Sequence, residues 1–207
     1  MRHATRLDWR QGEGGKLLEE LLKPHVKQMN LFKMFAKHDT YEVPVYQREY
    51  AWTTEQADAL VKDLKEFSED EDVSSYLLGQ IIFSSQSNPE NDGCHFKVVD
   101  GQQRLTSLYL LFLAMNALYK EMTAAGLDTE AFEYLSKLDL ISYVTDEEVG
   151  QKKPRLVLPR LANTFLENLS NSVELPELDI NPSQRNIREN YEHFLGYLRT
   201  NFSTLKE

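Results

Sequence analysis

Residues 100–104 read Asp-Gly-Gln-Gln-Arg, between a strand-like apolar run and a long apolar stretch. The pattern predicts a strand ending at Val99, a tight turn at Asp100-Gly101 and a helix starting near Gln102. Glycine lets the backbone bend sharply and lets a ligand come close. The first N–H groups of a helix have no partner within it, and the helix dipole adds positive charge there, so the joint suits an anion such as phosphate. Arg104 falls in the first turn, where side chains lean back towards the N-terminus, and its guanidinium can grip the same anion with two prongs. Gln102 and Gln103 can each donate and accept, to orient a water or read a base edge. Thr106 and Ser107 add hydroxyls one turn further in. Asp100 beside an anion implies either a bridging cation such as Mg2+ or an N-cap with Gln103 in the capping-box position. The plainer alternative for the whole motif is a capped core helix with Arg104 in a salt bridge.

A second constellation is "YEVPVYQREYAW" at 41–52. In an extended chain Pro44, Tyr46, Arg48, Tyr50 and Trp52 share one face, with Gln47 and Glu49 on the other. Arginine interleaved with aromatic rings can pair with phosphate while the rings stack on a base. The same rings can equally be half-buried packers, with Arg48 lying across one of them.

Other chemistries find no support. "GEGGKL" at 12–17 has Arg10 where a phosphate-binding loop needs its first glycine, and Leu17 where it needs Ser or Thr. The five histidines are scattered, and Cys94 is the single cysteine, so neither a zinc-type set nor an internal disulfide is readable. The acidic run at 69–72 reads as a solvated loop rather than a metal site. A net charge of −10 argues against a whole-surface polyanion binder. Charge is uneven, however: residues 1–40 hold eight Lys/Arg against five Asp/Glu, and the remainder 15 against 28. Arg2, Arg6 and Arg10 lie four apart, as a phosphate-contacting arm or a frayed end. No apolar leader opens the chain, and "LYLLFLAMNALY" at 108–119 is too short for a membrane span. A cytoplasmic protein without membrane contact is expected.

The elements that must position these residues are legible by periodicity. "GKLLEELLKPHVKQMNLFKMFAK" is helical with a break at Pro24, and "TYEVPVY" is a short strand at a sheet edge or strand end because of Pro44. Thr53 with Gln56 fits a capping box, followed by the apolar stripe Ala57, Leu60, Val61, Leu64 and Phe67. "YLLGQIIFSS" and "CHFKVV" read as two strands joined by a turn. Helices follow near 129–138, 160–170 and 183–200, with an extended piece at "PRLVLP" and a joint at Gly150 to Pro154. The fold class is α+β: a small mixed sheet with a long buried helix and a C-terminal helical annex. The expected organisation is an N-terminal helical segment at 1–40, a core carrying the phosphate site at 41–125 and a helical subdomain at 126–207.

Taken together, "VPVYQREYAW", "LLGQIIF", "VVDGQQRLTSL" and "NIRENYEHFLGYL" resemble the N-terminal domain of GmrSD-type restriction enzymes and SspE-type phage-defence proteins, in the ParB/sulfiredoxin-like superfamily. The resemblance implies a ParB/sulfiredoxin-like core whose D-G-Q-Q-R signature forms a nucleoside-triphosphate site, with hydrolysis coupled to restriction of modified foreign DNA. Carried over by position, it implicates Asp100, Gly101, Gln102, Gln103 and Arg104, with Gln47 and Arg48 facing the same pocket. The implied scheme is as follows. Arg104, Gly101 and Thr106 bind phosphate with Gln47 and Arg48, and Gln102 or Gln103 positions water. Asp100 holds Mg2+ or acts as base, and Tyr46, Tyr50 and Trp52 stack on a base or contact DNA. The cofactor is GTP, UTP or CTP with Mg2+. The partners are modified phage DNA and a nuclease domain or subunit outside this chain, with room for a homo-oligomer. The alternatives are a DNA-modification reader that binds backbone phosphate without hydrolysis, and a ParB-like nuclease domain.

Overall fold

The computed structural model describes residues 28, 31–35, 39–72, 75–87, 94–126, 143–145, 152–159, 161–170 and 181–202. The arginines at 2, 6 and 10, the first expected helix up to Asn30 and the helix expected near 129–138 lie outside these residues. Residues 31–207 form one compact unit. In chain order its elements are α1 (Leu31–Phe35), β1 (Thr40–Glu42), α2 (Thr54–Glu69), β2 (Ile82–Ser87), β3 (Cys94–Asp100) and α3 (Gln102–Ala124). They continue with β4 (Tyr143–Thr145), β5 (Lys152–Pro154), β6 (Leu156–Val157), α4 (Leu161–Ser170) and α5 (Pro182–Phe202).

The main sheet is mixed, in the order β2-β3-β1-β6. Strand β1 runs parallel to both β3 and β6, and β2 pairs antiparallel with β3. A separate antiparallel pair joins β4 to β5. Alternation along the strands sends Tyr41, Phe83 and Phe96 to one face, where the Tyr41 ring centroid lies 5.2 Å from Phe83 and 5.5 Å from Phe96. Thr40, Glu42 and His95 take the other, more exposed face.

Pro44 sits just past the end of β1, as its lack of an N–H requires. The last ladder bond runs from Val43 N–H to the Val157 carbonyl at 2.9 Å. The chain then turns, with Gln47 N–H on the Pro44 carbonyl at 2.9 Å. The expected extended run through Trp52 therefore does not form, and the aromatic residues do not share a face.

Helix α3 is buried nearly all round, as its uniformly apolar sequence demands, with Leu105, Leu108, Tyr109 and Leu110 at 1% exposure or less. Helix α5 packs on α3 through Ile187, Phe194 and Leu198, a stripe at helical spacing. Helix α2 packs on α5 and buries Ala57, Leu60 and Val61. Its start carries the expected capping box, with Thr53 N–H on Gln56 Oε1 at 2.9 Å. Helices α4 and α5 share one hydrophobic core with the sheet. No described helix is long and apolar enough to cross a membrane.

Candidate functional site

The joint between β3 and α3 is built around two glycines. Gly101 has φ +84° and is the N-cap of α3. A Cβ there would lie 2.9 Å from the Gln80 carbonyl oxygen and 3.1 Å from Ile81 Cα. Only glycine meets both demands. The bend follows a bulge, because Ile82 pairs with Asp100 while Phe83 pairs with Val98, which leaves Val99 as the extra residue. Bulges re-aim the chain beside functional sites.

The cap position corrects the expectation for Asp100, which stands one residue before the N-cap. Its Oδ1 accepts from Gly101 N–H at 2.8 Å, and the side chain is exposed. Gly101 has no side chain to cap with, so the capping box with Gln103 does not form. The first α3 bond goes from Leu105 N–H to the Gly101 carbonyl at 3.0 Å. Among the described residues no acceptor meets the N–H of Gln102, Gln103 or Arg104.

The two glutamines are spent on holding the second motif. Gln102 Nε2 donates to the Arg48 carbonyl at 2.7 Å, and Gln103 Nε2 to the Glu49 carbonyl at 3.1 Å. Gln103 Oε1 accepts from Ala51 N–H at 2.8 Å and from Trp52 N–H at 3.3 Å. These amides replace the sheet partners that residues 48–52 lack, since backbone polar groups cannot be buried unpaired. Both side chains are 7% exposed. They position the loop; the expected water-orienting role finds Gln103 engaged at both ends of its amide. Gln47 does likewise at the strand end, with Nε2 on the Val99 carbonyl at 2.8 Å and the Val98 carbonyl at 3.2 Å.

Tyr50 belongs to the core. It is 6% exposed, its hydroxyl lies 2.6 Å from Ser107 Oγ, and it accepts from Asn190 Nδ2 at 2.7 Å. Burial pushes its phenol up to about 12, against the opposing pull of the Ser107 and Asn190 hydrogen bonds. Its ring therefore offers no face to a base. Trp52 is partly buried, with its carbonyl taken by Asn190 Nδ2 at 2.9 Å. Tyr46, at the turn, is 77% exposed.

The two cations stand on either side of the helix tip. At about 100° per residue, Gln102, Gln103 and Thr106 share one side of α3 and Arg104 points from the other. Arg104 lies over Gly79, where a Cβ would come 2.8 Å from its Cζ; Gly79 itself has φ +93°. Arg48 is exposed and borders a small cavity of about 10 Å3 that Gln102, Gln103 and Thr106 also line. Among the described residues neither Arg48 nor Arg104 has an ion-pair partner, so the expected salt bridge of a purely structural motif is not formed.

Sequence reasoning missed two contributors, Gly79 and Asn190. Gly79 was legible, since a glycine inside an apparent strand signals close backbone approach. Asn190 interrupts an apolar stripe in α5, which marks a buried polar link. Ser107, expected as a hydroxyl beside the motif, is linked to Asn190 through the Tyr50 hydroxyl.

An α+β domain with an open helix tip, a glycine bend and two unpaired arginines is the class this geometry defines. Residues 31–206 match the family described as GmrSD restriction endonuclease, N-terminal domain, and the chain belongs to that family. No curated protein matches the chain.

Proposed function

We propose that this domain binds and hydrolyses a nucleoside triphosphate, GTP, UTP or CTP, and that turnover licenses attack on modified DNA by a nuclease domain or subunit. The observation that carries the proposal is the tip of α3, which offers three unpartnered N–H groups between two arginines free of ion pairs. Such a tip attracts phosphate through donors and dipole together. Family membership supports a role in restriction. Arg104 grips phosphate from the Gly79 side, and Arg48 is the second cation. Asp100 has one oxygen on Gly101 N–H and is exposed, which fits a Mg2+ held by one carboxylate and the nucleotide phosphates. An ion held there would supply charge neutralisation at the phosphates. The cavity beside the tip is far too small for a nucleotide, so the nucleotide lies across the open surface, where Tyr46 presents a free ring to a base.

The openness of this surface favours one second reading: a reader that grips a DNA backbone phosphate without hydrolysis. A reader loses affinity steeply with salt, by a slope set by the phosphates contacted. The test is phosphate release by the purified chain with each triphosphate, with and without modified DNA. Turnover lost in Arg104→Ala supports the hydrolase. Wild-type turnover in that variant removes it, and DNA binding without turnover leaves the reader.

A further inference from the structure

The small cavity beside the tip has a second helix at its wall. Ser183, in the first turn of α5, lines it together with Gln102, Gln103, Thr106 and Arg48, and Ala162 adds the first turn of α4. Ser183 is 2% exposed, yet its Oγ has no hydrogen-bond partner. A buried hydroxyl left unpaired costs stability, and native proteins rarely keep one without use.

The backbone beside it is open as well. Pro182 has no N–H to give, and Gln184 N–H is taken by the Asn181 cap at 2.8 Å. Arg185 N–H closes the first helical bond, on the Asn181 carbonyl at 3.0 Å. Ser183 N–H is the remaining first-turn donor, and no acceptor among the described residues meets it. The first turns of α3, α4 and α5 thus border one niche together with Arg48, and its lining holds no carboxylate. The niche of about 10 Å3 admits roughly one oxygen atom.

We infer that Ser183 and the first turn of α5 form an oxyanion niche that takes one oxygen of the terminal phosphate, with Arg48 as its cation. The inference rests on the phosphate-binding reading above and adds a residue, a second helix and a division of labour: Arg48 serves the niche, and Arg104 serves the opposite side of the tip. Ser183 binds and orients; no bond is made or broken at its oxygen.

The test compares Ser183→Ala and Ser183→Val with wild type by calorimetry against inorganic phosphate, tripolyphosphate, GTP and a short DNA duplex, with thermal unfolding in parallel. Ser183→Ala is expected to melt at or above the wild-type temperature, because an unpaired buried hydroxyl has gone. It is expected to bind tripolyphosphate and GTP about tenfold more weakly. Ser183→Val fills the niche and is expected to weaken both further. GTP binding intact in both variants overturns the niche and leaves the nucleotide reading standing. Tripolyphosphate binding that depends on Ser183, without GTP binding, supports the niche and removes the nucleotide reading. Ser183-dependent binding of the duplex alone assigns the oxygen to a DNA backbone phosphate and overturns the terminal-phosphate assignment. Wild type that binds none of the four overturns both.

Discussion

The two ends of β3 treat polar groups in opposite ways. At its start, Cys94 N–H donates to Asp39 Oδ1 at 2.9 Å. His95 Nδ1 lies 3.0 Å from Thr40 Oγ1, and its Nε2 lies 2.8 Å from Glu42 Oε2. Nearby, Arg155 is 5% exposed, donating its N–H to Tyr109 Oη at 3.0 Å and Nη1 to the Asp39 carbonyl at 3.2 Å. At its finish, three helix N–H groups lack acceptors, and Arg48 and Arg104 lack ion pairs among the described residues. One strand therefore runs from a closed polar network to an open one. Groups that complete the fold find partners within it, whereas the donors and cations at the helix tip stand without them among the described residues.

That contrast breaks most sharply at the arginines. Arg104→Ala should lower nucleotide turnover by about 100-fold or more, the usual loss when a preorganised charge contact to a reacting group is removed. Its unfolding free energy should stay within about 0.5 kcal/mol of wild type, because no partner is orphaned. Arg155→Ala should do the reverse. It orphans the buried Asp39 carbonyl and removes a buried stem, and should cost about 3 kcal/mol in urea unfolding. Turnover per folded molecule should not change. Equal stability losses in the two variants would erase the distinction between the ends of β3.

Much of this was legible because periodicity reports burial directly. The Ala57, Leu60 and Val61 stripe placed α2, the apolar run after Arg104 placed α3, and the positions of α4 and α5 followed likewise. The Asp-Gly joint was legible as a bend, but not which residue caps the helix, since that turns on the positive φ of Gly101. Pro44 marked the end of β1, but the fate of residues 45–52 was not legible. Alternation assumes a strand, and this segment turns at Pro44 because β1 loses its partners there. Its backbone is satisfied instead by side chains fifty residues away, a long-range exchange that no local pattern encodes. Residue type likewise could not say whether Gln102 and Gln103 serve a ligand or the chain.

That exchange supplies the next test. Gln103→Leu keeps the volume but strands Ala51 N–H and removes the donor to the Glu49 carbonyl. It should cost about 2 kcal/mol by urea unfolding. It should also weaken nucleotide binding, since residues 48–52 lose their anchor and Arg48 moves with them. Gln103→Glu keeps the acceptor and loses one donor, and should cost less. A Leu variant with wild-type stability would show that the loop is held by something other than these amides.

The smallest effect lies at Tyr50, which ties the 48–52 loop to α3 and α5. Its phenol titrates near 10 in an unfolded chain and is held at about 12 in the fold by burial. Between those values the unfolded state has released the proton and the native state has kept it. The unfolded state binds fewer protons there, so stability falls as pH rises, by up to about 1.4 kcal/mol per pH unit from this group. The contribution is fully present below pH 10 and is lost as pH approaches 12. Tyr41, also buried and shifted upward, adds to the same decline. Tyr50→Phe should therefore show a shallower loss of stability between pH 10 and 12. At neutral pH it should be about 1 kcal/mol less stable than wild type, because Ser107 and Asn190 lose their shared partner. Parallel alkaline curves for the two proteins would mean that the Tyr50 hydroxyl reaches solvent, and the link between α5 and the 48–52 loop would have to be redrawn without it.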